Sequence, residues 1–377
     1  MGINITHFGS LVAATGGPAY STYLTMKGIQ LYGKQYGMQC RIIIPAFMAG
    51  QKMIASDVPI QYADHNNLGN QLQENHAAVY HIQGLWSPMA HRIAVFSKRN
   101  RIPYIVTLRG MLYPHALAIK KWKKHVALWL YQAKDLRNAA CIQATCEEER
   151  AFYRDMGFRN PVAIIPNAVE LSEILAPPQR TADSIFRIGY LGRLHPRKKV
   201  ERILYALASP EMKDVNAEFV VIGKDDPAYE DYLKNETQRL GLKNVTFAGF
   251  LHGKEKTDAI RSLSVLVVPS DFENFGNIVV EALKEGVPVI ASRGMPWQDL
   301  ETYHCGWWVP NSVESLAVTL KEASSLSKER LFEMGENGQR LLRDKYEFES
   351  VSKKMVALYQ WILQGGTCPD FVEVLDA

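Results

Sequence analysis

Two successive series of short apolar strands, separated by helical segments, constrain the fold of this chain most. In the first half the predicted strands are 3–8, 41–45, 79–82, 104–108, 141–144 and 162–165. In the second half they are 186–191, 218–222, 245–248, 265–269, 287–291 and 306–309. Strands that alternate with helices in this way form parallel sheets with helices on both faces. Since 377 residues exceed one ordinary domain, we expect two Rossmann-like α/β domains that face each other across a cleft.

The boundary between the two domains is expected near residue 178. Residues 173–183 contain Pro177-Pro178 and polar side chains without periodicity, which is typical of a linker. The first domain is therefore predicted to span 1–178 and the second 179–347. A final helical stretch, from about 348 to 363 within a segment that runs to 377, is expected either to follow the second domain or to pack back on the first.

Composition and charge exclude several classes of protein. The net charge of +4 is mild and comes with no basic tail, so no nucleic-acid partner is expected, although the charge suits anionic ligands. The five cysteines are odd in number and show no paired spacing, which indicates neither a disulfide framework nor a zinc site. The N-terminus lacks a signal-peptide pattern and no apolar stretch reaches membrane-spanning length, so a cytoplasmic protein is expected, as a monomer or weak dimer.

The most informative segment is 271–283, with the sequence DFENFGNIVVEAL. It follows an apolar strand and predicts a loop and then a helix that begins near Gly276 and Asn277. The free backbone N–H groups at such a helix start bind anions, and a diphosphate is the natural ligand. Glu281 can accept hydrogen bonds from both hydroxyls of a ribose, and Glu273 from those of a sugar. Taken alone, two glutamates are more often solvated surface residues.

A cluster of cations, GRLHPRKK at 192–199, follows the strand that ends at Leu191. Arg193 and Lys198 are therefore expected at the carboxyl edge of the second sheet, where they would neutralise a leaving diphosphate. Lys199 is interpreted as a solvated residue of a basic turn. In the first domain, Gly16-Gly17-Pro18 precedes a predicted helix from about residue 19 to 32, which alone is a weak glycine signal.

Together these segments resemble the retaining family-four glycosyltransferases of the GT-B fold. Glu273 and Glu281 match the two glutamates of that family's E-x7-E motif. The resemblance runs from the glycine loop to about Tyr346. Similar stretches occur in the same order at 16–23, 81–88, 110–117, 144–149, 165–167, 192–198 and 296–300.

The resemblance implies specific roles for the matching residues. Arg193 and Lys198 would bind the donor phosphates, Glu281 the ribose, and Glu273 the transferred sugar. The donor-binding set would be completed by residues of the two glycine-containing loops, namely Gly16, Gly17, Phe275, Gly276, Asn277 and Ile278. The family uses no metal and no other cofactor, since the nucleotide sugar is a co-substrate, and the two cations would take the place of a metal ion.

One departure from the family pattern affects the mechanism. Many members have a histidine after the strand that here ends at Leu108, whereas this sequence has Arg109. Arg109 either contacts a sugar hydroxyl, the donor phosphate or an anionic acceptor, or forms a salt bridge that stabilises its loop. Trp86 and His115 are further acceptor-side candidates. His81 and His91 are expected near the same sheet edge, although a lone histidine is more often structural.

Residues 116–130, with the sequence ALAIKKWKKHVALWL, combine lysines with aromatic and aliphatic side chains. They predict an amphipathic helix. Such a helix either rests on an anionic membrane surface, at the inner face of the cytoplasmic membrane, or packs on the first domain with its lysines in solvent.

The resemblance therefore implies retaining transfer of a hexose from a nucleotide sugar, with UDP-glucose or a related UDP- or GDP-sugar as the expected donor. The expected acceptor is a carbohydrate or lipid-linked sugar, in bacterial exopolysaccharide or envelope-polysaccharide assembly. Retention without an evident nucleophile suits a front-face attack, in which the leaving phosphate helps to take the acceptor proton. Two alternatives remain: a sugar phosphorylase of the same fold class, and a non-catalytic two-domain protein that binds sugars or nucleotides.

Overall fold

The computed structural model describes residues 2–54, 57–171, 174–179 and 185–375. The strands are β1 (Ile3–Phe8), β2 (Met38–Pro45), β3 (Ile60–Ala63), β4 (Val79–Gln83), β5 (Tyr104–Thr107), β6 (Cys141–Ala144), β7 (Val162–Ile164), β8 (Phe186–Leu191), β9 (Ala217–Ile222), β10 (Val245–Gly249), β11 (Val265–Val268), β12 (Val289–Ser292), β13 (Gly306–Val309) and β14 (Val372–Glu373). The α-helices are α1 (Gly17–Tyr32), α2 (Leu68–Glu74), α3 (Pro88–Asn100), α4 (Pro114–Ala118), α5 (Lys121–Ala127), α6 (Ala133–Asn138), α7 (Glu147–Asp155), α8 (Glu201–Leu207), α9 (Pro227–Arg239), α10 (Gly253–Arg261), α11 (Asn277–Lys284), α12 (Asp299–Thr302), α13 (Val313–Ser325), α14 (Lys328–Leu341) and α15 (Phe348–Gln364).

The chain divides into two compact units, 1–170 with 345–377, and 171–344. The boundary predicted at residue 178 therefore differs from the structure, which assigns 171–178 to the second unit. The reason lies in local contacts: Arg261 donates a hydrogen bond to the Ala176 carbonyl at 2.9 Å and Gln339 to that of Leu175 at 2.8 Å. Within the predicted linker, residue 173 and residues 180–183 lie outside the described residues.

The first unit is built on a sheet with the strand order β14-β7-β6-β5-β4-β1-β2-β3. Every pairing in it is parallel except that of β14 with β7. The strands β3 and β14 lie at the two edges, and neither was predicted. β3 is only partly buried and β14 has two residues, so both lack the apolar runs that mark the central strands.

The second unit has a fully parallel sheet with the order β10-β9-β8-β11-β12-β13. Numbered within the unit, this is the order 3-2-1-4-5-6 of a doubly wound dinucleotide-binding fold. The connection after β8 leads to β9 on one side of the β8/β11 pair, and the connection after β11 leads to β12 on the other side. The loops after these two strands therefore border the crevice where such folds bind ligands. The prediction of two Rossmann-like domains is confirmed.

The last helix, α15, belongs to the first unit and packs on α1. Its buried residues include Met355, Leu358 and Tyr359, which join one core cluster with Ile5 of β1 and the apolar face of α1. At Gly28 of α1, a Cβ atom would lie 2.2 Å from Ser352 Oγ, so only a glycine allows the two helices to approach this closely. A segment distant in sequence thus completes the core of the first unit.

The helix predicted over 116–130 is interrupted in the structure. α4 ends at Ala118, and Lys120 adopts a left-handed backbone conformation with φ of 54°. From Lys121 the chain is helical without a break to Asn138, through α5, a π-helical segment at Leu128–Gln132, and α6. None of the helices in the described ranges is long and apolar enough to cross a membrane.

Candidate active site

Two oppositely charged side chains meet beside the carboxyl ends of β8 and β11. Lys198 ends a short 3-10 turn after β8, and its Nζ contacts the Oε1 of Glu273, which lies in the loop after β11. Ser270 Oγ donates to the same carboxylate oxygen at 3.1 Å. The two charged side chains are only 20% and 19% exposed. Because they are shielded from solvent, each stabilises the charge of the other more than in an exposed pair.

The helix α11 begins directly beyond this pair. Gly276 precedes its first turn with a φ of 76°, and a Cβ atom there would lie 2.4 Å from the Met295 side chain. The Trp297 indole N–H donates to the Phe275 carbonyl, and the two rings pack 5.4 Å apart. The loop is thereby held so that α11 starts at Asn277, with the unpaired N–H groups and positive dipole of a helix start at this edge of the sheet.

A cavity of about 290 Å³ is lined by Ile278 and Glu281 of α11. Glu281 of α11 lines it and pairs with Lys256 of α10 at 3.0 Å. The aromatic ring of Phe250, 71% exposed, lies at the same cavity after β10. The full lining is Leu191, Gly192, Arg193, Ile222, Gly223, Lys224, Phe250, Leu251, His252, Gly253, Lys256, Ile278 and Glu281. The site thus combines a carboxylate, several cations and an exposed aromatic ring.

Two glycines of the cavity lining lie in loops that pack closely together. Gly192 follows β8 and Gly223 follows β9, with φ values of 142° and 144°. A Cβ atom on Gly223 would lie 1.8 Å from the Gly192 carbonyl oxygen. The backbones of the two loops are therefore in direct contact, and a side chain at position 223 would prevent this contact. Sequence inspection did not single out Gly223, Phe250 or Lys256, although a glycine directly after a parallel strand is the signal that identifies Gly223.

Arg193 is an exposed residue of the cavity lining. Its side chain is 67% exposed and its Nη1 is 3.7 Å from an Asp225 carboxylate oxygen. Tyr190 OH donates to the Arg193 carbonyl at 2.8 Å and fixes the backbone of the loop. Arg193, Lys198, Glu273, Ile278 and Glu281 therefore all lie on the loops and helix that follow β8 and β11, as expected from the sequence.

In the first unit, Gly16 and Gly17 lie at the start of α1. Gly16, with a φ of 67°, precedes the helix, and Gly17 is its first residue. The helix thus begins two residues earlier than predicted, because Pro18 is accommodated in the first turn, where its missing N–H costs nothing. The Gly17 N–H belongs to the set that an α-helix leaves without an internal partner.

Arg109 is held by neutral partners. It donates to Ser21 Oγ and Thr22 Oγ1 in the first turns of α1, and to Gln83 Oε1 at the end of β4. No carboxylate lies within 4 Å of its guanidinium in the part of the chain that is described, so the salt bridge, one of the two roles considered for Arg109, is not formed with those residues. Burial lowers its pKa to about 10, partly offset by the charge of Glu149. The buried Nε has no hydrogen-bond partner among the described residues.

The remaining acceptor-side candidates differ in their surroundings. Trp86 is partly buried with a φ of 69°; its backbone N–H donates to Gln132 Oε1 at 2.9 Å, and Lys124 Nζ lies over its ring. His115 is an exposed residue of α4 whose ring lies 5.9 Å from that of Tyr113. His91 pairs with the buried Asp135 at 2.8 Å. Each of these three residues therefore has at least one structural contact within the first unit.

His81 lies in the middle of β4, in the core, and not at the sheet edge as expected. It is fully buried, and its Nδ1 and Nε2 bond Tyr359 OH at 2.6 Å and Thr107 Oγ1 at 2.7 Å. Since Thr107 donates its own proton to Gln143 Oε1, the His81 Nε2 carries the ring proton. Desolvation lowers the pKa of His81 well below its ordinary value, and that of the neighbouring buried His7 to about 3. Both imidazoles are therefore neutral structural groups.

Within the described ranges, no cluster of three or more His, Cys, Asp or Glu side chains is arranged to hold a metal ion.

Comparison with known proteins identifies the family. Residues 176–341 match the family model of the glycosyl transferases group 1, and residues 58–168 match that of the glycosyl transferase 4-like domain. Together the two models cover well over half of the chain. The structure also resembles that of the Anabaena protein HepE, solved in complex with UDP, with a TM-score of 0.72 at 17% identity over 94% of this chain and 99% of that one.

Relatives of known sequence match shorter stretches. An uncharacterised glycosyltransferase of Methanocaldococcus jannaschii is 28% identical over 176 residues, which are 46% of this chain and 44% of that protein. A GDP-mannose-dependent alpha-mannosyltransferase of Mycobacterium tuberculosis is 32% identical over 117 residues, 31% of this chain and 28% of that one. The matches thus span less than half of these relatives' lengths. The matched regions and the fold place this chain in the family-four type of GT-B glycosyltransferases.

Proposed function

We propose that this protein transfers a hexose from a nucleotide-sugar donor to a carbohydrate or lipid-linked acceptor, with retention of the anomeric configuration. The observation that carries the proposal is the contact of Lys198 with Glu273 at the start of α11. A cation, a carboxylate and a helix start at the same edge of the sheet provide for a diphosphate and for the hydroxyls of the attached sugar.

The cavity between α10 and α11 suits the nucleoside half of the donor. Its carboxylate, Glu281, can accept both ribose hydroxyls, and the exposed Phe250 ring offers a flat apolar surface to a base. We assign the phosphates to Arg193, which lines the cavity, and to Lys198, which does not belong to that lining. In this assignment, the base, ribose, diphosphate and sugar of the donor are each matched to a different group of the protein.

The chemistry proposed is charge stabilisation and positioning. The acceptor oxygen bonds to the sugar's anomeric carbon on the face from which the phosphate oxygen departs, and the acceptor proton passes to that phosphate. Arg193, Lys198 and the N–H groups at Asn277 stabilise the negative charge that develops on the diphosphate. Glu273 holds the sugar hydroxyls, and no protein nucleophile or metal ion takes part in this scheme.

Two donor classes are proposed. UDP-glucose, or a related UDP-hexose, is the first, supported by the structural likeness to HepE in its UDP complex. A GDP-sugar is the second, since one relative is named for its use of GDP-mannose. The proposed setting is the bacterial cytoplasm, in the assembly of an exopolysaccharide or envelope polysaccharide.

The proposal is tested by ligand-dependent thermal stabilisation, followed by product analysis. UDP, GDP and a panel of UDP- and GDP-hexoses are added to the protein, and we expect one nucleotide series to raise the melting temperature at millimolar concentration. The stabilising donor is then incubated with glucosides and lipid-linked sugars, and the anomeric configuration of the product is read by NMR. A protein that binds the donor but transfers to neither water nor acceptor would overturn the enzymatic proposal; inversion would overturn retention alone.

A further inference from the structure

One surface of the first unit exposes large apolar side chains that nothing in the described chain covers. It consists of Ile119 and the outward residues of the helix that follows, here termed the α5 face. The exposed fractions are 52% for Ile119, 69% for Trp122, 46% for Val126, 84% for Trp129 and 61% for Leu130. Single exposed apolar residues are ordinary, but five side chains, two of them indoles, on one helical stretch form a patch typical of an interaction site.

The helix geometry places these side chains together. Trp122, Val126 and Trp129 have the spacing i, i+4 and i+7, which is one face of a helix. The opposite side is fixed to the protein: Tyr131 OH donates to the Trp86 carbonyl at 3.5 Å, and Gln132 accepts from the Trp86 N–H at 2.9 Å. The apolar face is therefore directed to solvent by contacts on the opposite side of the same helix.

Lysines border the α5 face. Lys120, Lys121 and Lys123 are exposed and lie at or beside the start of α5. The sequence between Glu74 and Asp135 contains ten Lys and Arg residues and no Asp or Glu, whereas the whole chain has a net charge of only +4. The rest of the chain is therefore net negative, and positive charge is concentrated in the segment that carries the exposed indoles.

We propose that the α5 face docks in the plane of an anionic lipid surface. Indole and aliphatic side chains enter the boundary between headgroups and acyl chains, while flanking lysines remain at the level of the lipid phosphates. The features favour lipid over other occupants. A second copy would bring two sets of lysines together, and a nucleic acid would leave the aliphatic side chains without a suitable partner.

This inference goes beyond the proposed function and does not depend on it. Docking brings the first unit to a bilayer, where a lipid-linked acceptor would be found. The α5 face belongs to the first unit, whereas Lys198, Glu273 and Glu281 belong to the second. Binding to vesicles requires neither donor nor turnover. Failure of the vesicle experiment and failure of the transfer experiment are therefore distinguishable.

The experiment measures co-sedimentation of the full chain with vesicles, without nucleotide or acceptor. Vesicles of pure phosphatidylcholine are compared with vesicles that contain about one third phosphatidylglycerol, at low and at high salt. We expect binding to the anionic vesicles only, weakened by salt because the exposed lysines are screened. Equal binding to neutral vesicles, or no binding to either, would overturn the proposal.

Variants identify the surface. Trp122→Ala/Trp129→Ala and, separately, Lys120→Glu/Lys121→Glu/Lys123→Glu are each expected to weaken partitioning at least tenfold. Matched controls are Phe47→Ala, an aromatic residue 77% exposed in the same unit, and Lys213→Glu/Lys243→Glu/Lys321→Glu, three exposed lysines of the second unit. Circular dichroism checks the fold of each variant. If controls and test variants lose binding equally, or if sedimentation velocity shows that the α5 face joins two copies instead, the lipid assignment is wrong.

Discussion

The ammonium of Lys198 contacts the carboxylate of Glu273, although 75 residues separate them in the chain. Under the proposed function, a donor diphosphate would bring a second anion to the lysine, and a sugar would bring hydroxyl donors to the glutamate. The pair therefore holds both side chains in place before the ligand arrives, and each can take its new partner with little movement.

Replacement of Lys198 by Gln is expected to lower kcat/KM by about 100- to 1,000-fold, the usual cost of losing one charge-stabilising group in an active site. Lys199→Gln is the matched control, since Lys199 is the next residue along the chain and lies 3.8 Å from Asp271 and 3.9 Å from Glu201. Steady-state transfer rates for both variants check the prediction. Comparable losses at 198 and 199 would show that the turn as a whole, and not Lys198, determines activity.

Replacement of Glu281 by Ala is expected to raise the Kd for the donor nucleotide. Loss of hydrogen bonds to a charged group costs ~1.5–3 kcal/mol, which corresponds to roughly a 10- to 100-fold weaker affinity. Isothermal titration with the nucleotide diphosphate measures it. Glu336→Ala removes an exposed helical glutamate of the same unit and should leave the Kd unchanged. An unaltered Kd in Glu281→Ala would contradict the proposed contact between Glu281 and the ribose.

Gly223→Ala is expected to destabilise the protein and to close part of the cavity, because the new methyl group overlaps the Gly192 carbonyl. Gly241→Ala is the control: it also has a positive φ, of 66°, but its Cβ would meet nothing within 4 Å. Gly241→Ala carries only the backbone cost of a left-handed residue, ~1–2 kcal/mol. Gly223→Ala adds a φ of 144°, which is farther from the conformations that side chains allow, and the overlap with the Gly192 carbonyl, so it should lose more melting temperature and more nucleotide affinity. Identical behaviour of the two would contradict the close backbone approach.

The buried histidines predict loss of stability in acid. The pKa of His7 is about 3 in the folded protein and 6.5 in the unfolded chain, so between these values the unfolded state binds the extra proton. Stability from this residue is complete above pH 6.5 and decreases as the pH falls, by up to ~1.4 kcal/mol per pH unit. Melting temperatures from pH 7 to pH 4.5 should fall less steeply for His7→Asn than for the wild type. His76→Asn, at an exposed histidine, should keep the wild-type slope.

Much of the fold follows from local sequence. The central strands are continuous apolar runs, because both faces of a parallel sheet are covered, and their positions were predicted to within a few residues. The edge strands β3 and β14 were not, since a strand at the margin carries little of that pattern. The break at Lys120 was also missed, because a left-handed lysine has no signal comparable to a glycine or proline.

Only part of the candidate site could be predicted from the sequence, for a similar reason. Arg193, Lys198, Glu273 and Glu281 follow strand ends and could be placed from the chain alone. Lys256 and Phe250 could not, because they reach the cavity only through the packing of α10 and β10 beside α11. His81 was misplaced, since its burial depends on Tyr359, which lies 278 residues further along the chain.

The contact between His81 and Tyr359 has a consequence for biosynthesis. The core of the first unit includes Met355, Leu358 and Tyr359 of α15, which a ribosome adds only after the entire second unit. During translation, the sheet of the first unit is synthesised before the helix that covers part of its apolar surface. The second unit, in contrast, is synthesised as one continuous segment that contains all of its strands. We therefore expect the second unit to acquire its native structure before the first, and nascent chains that stop short of residue 348 to depend on chaperones.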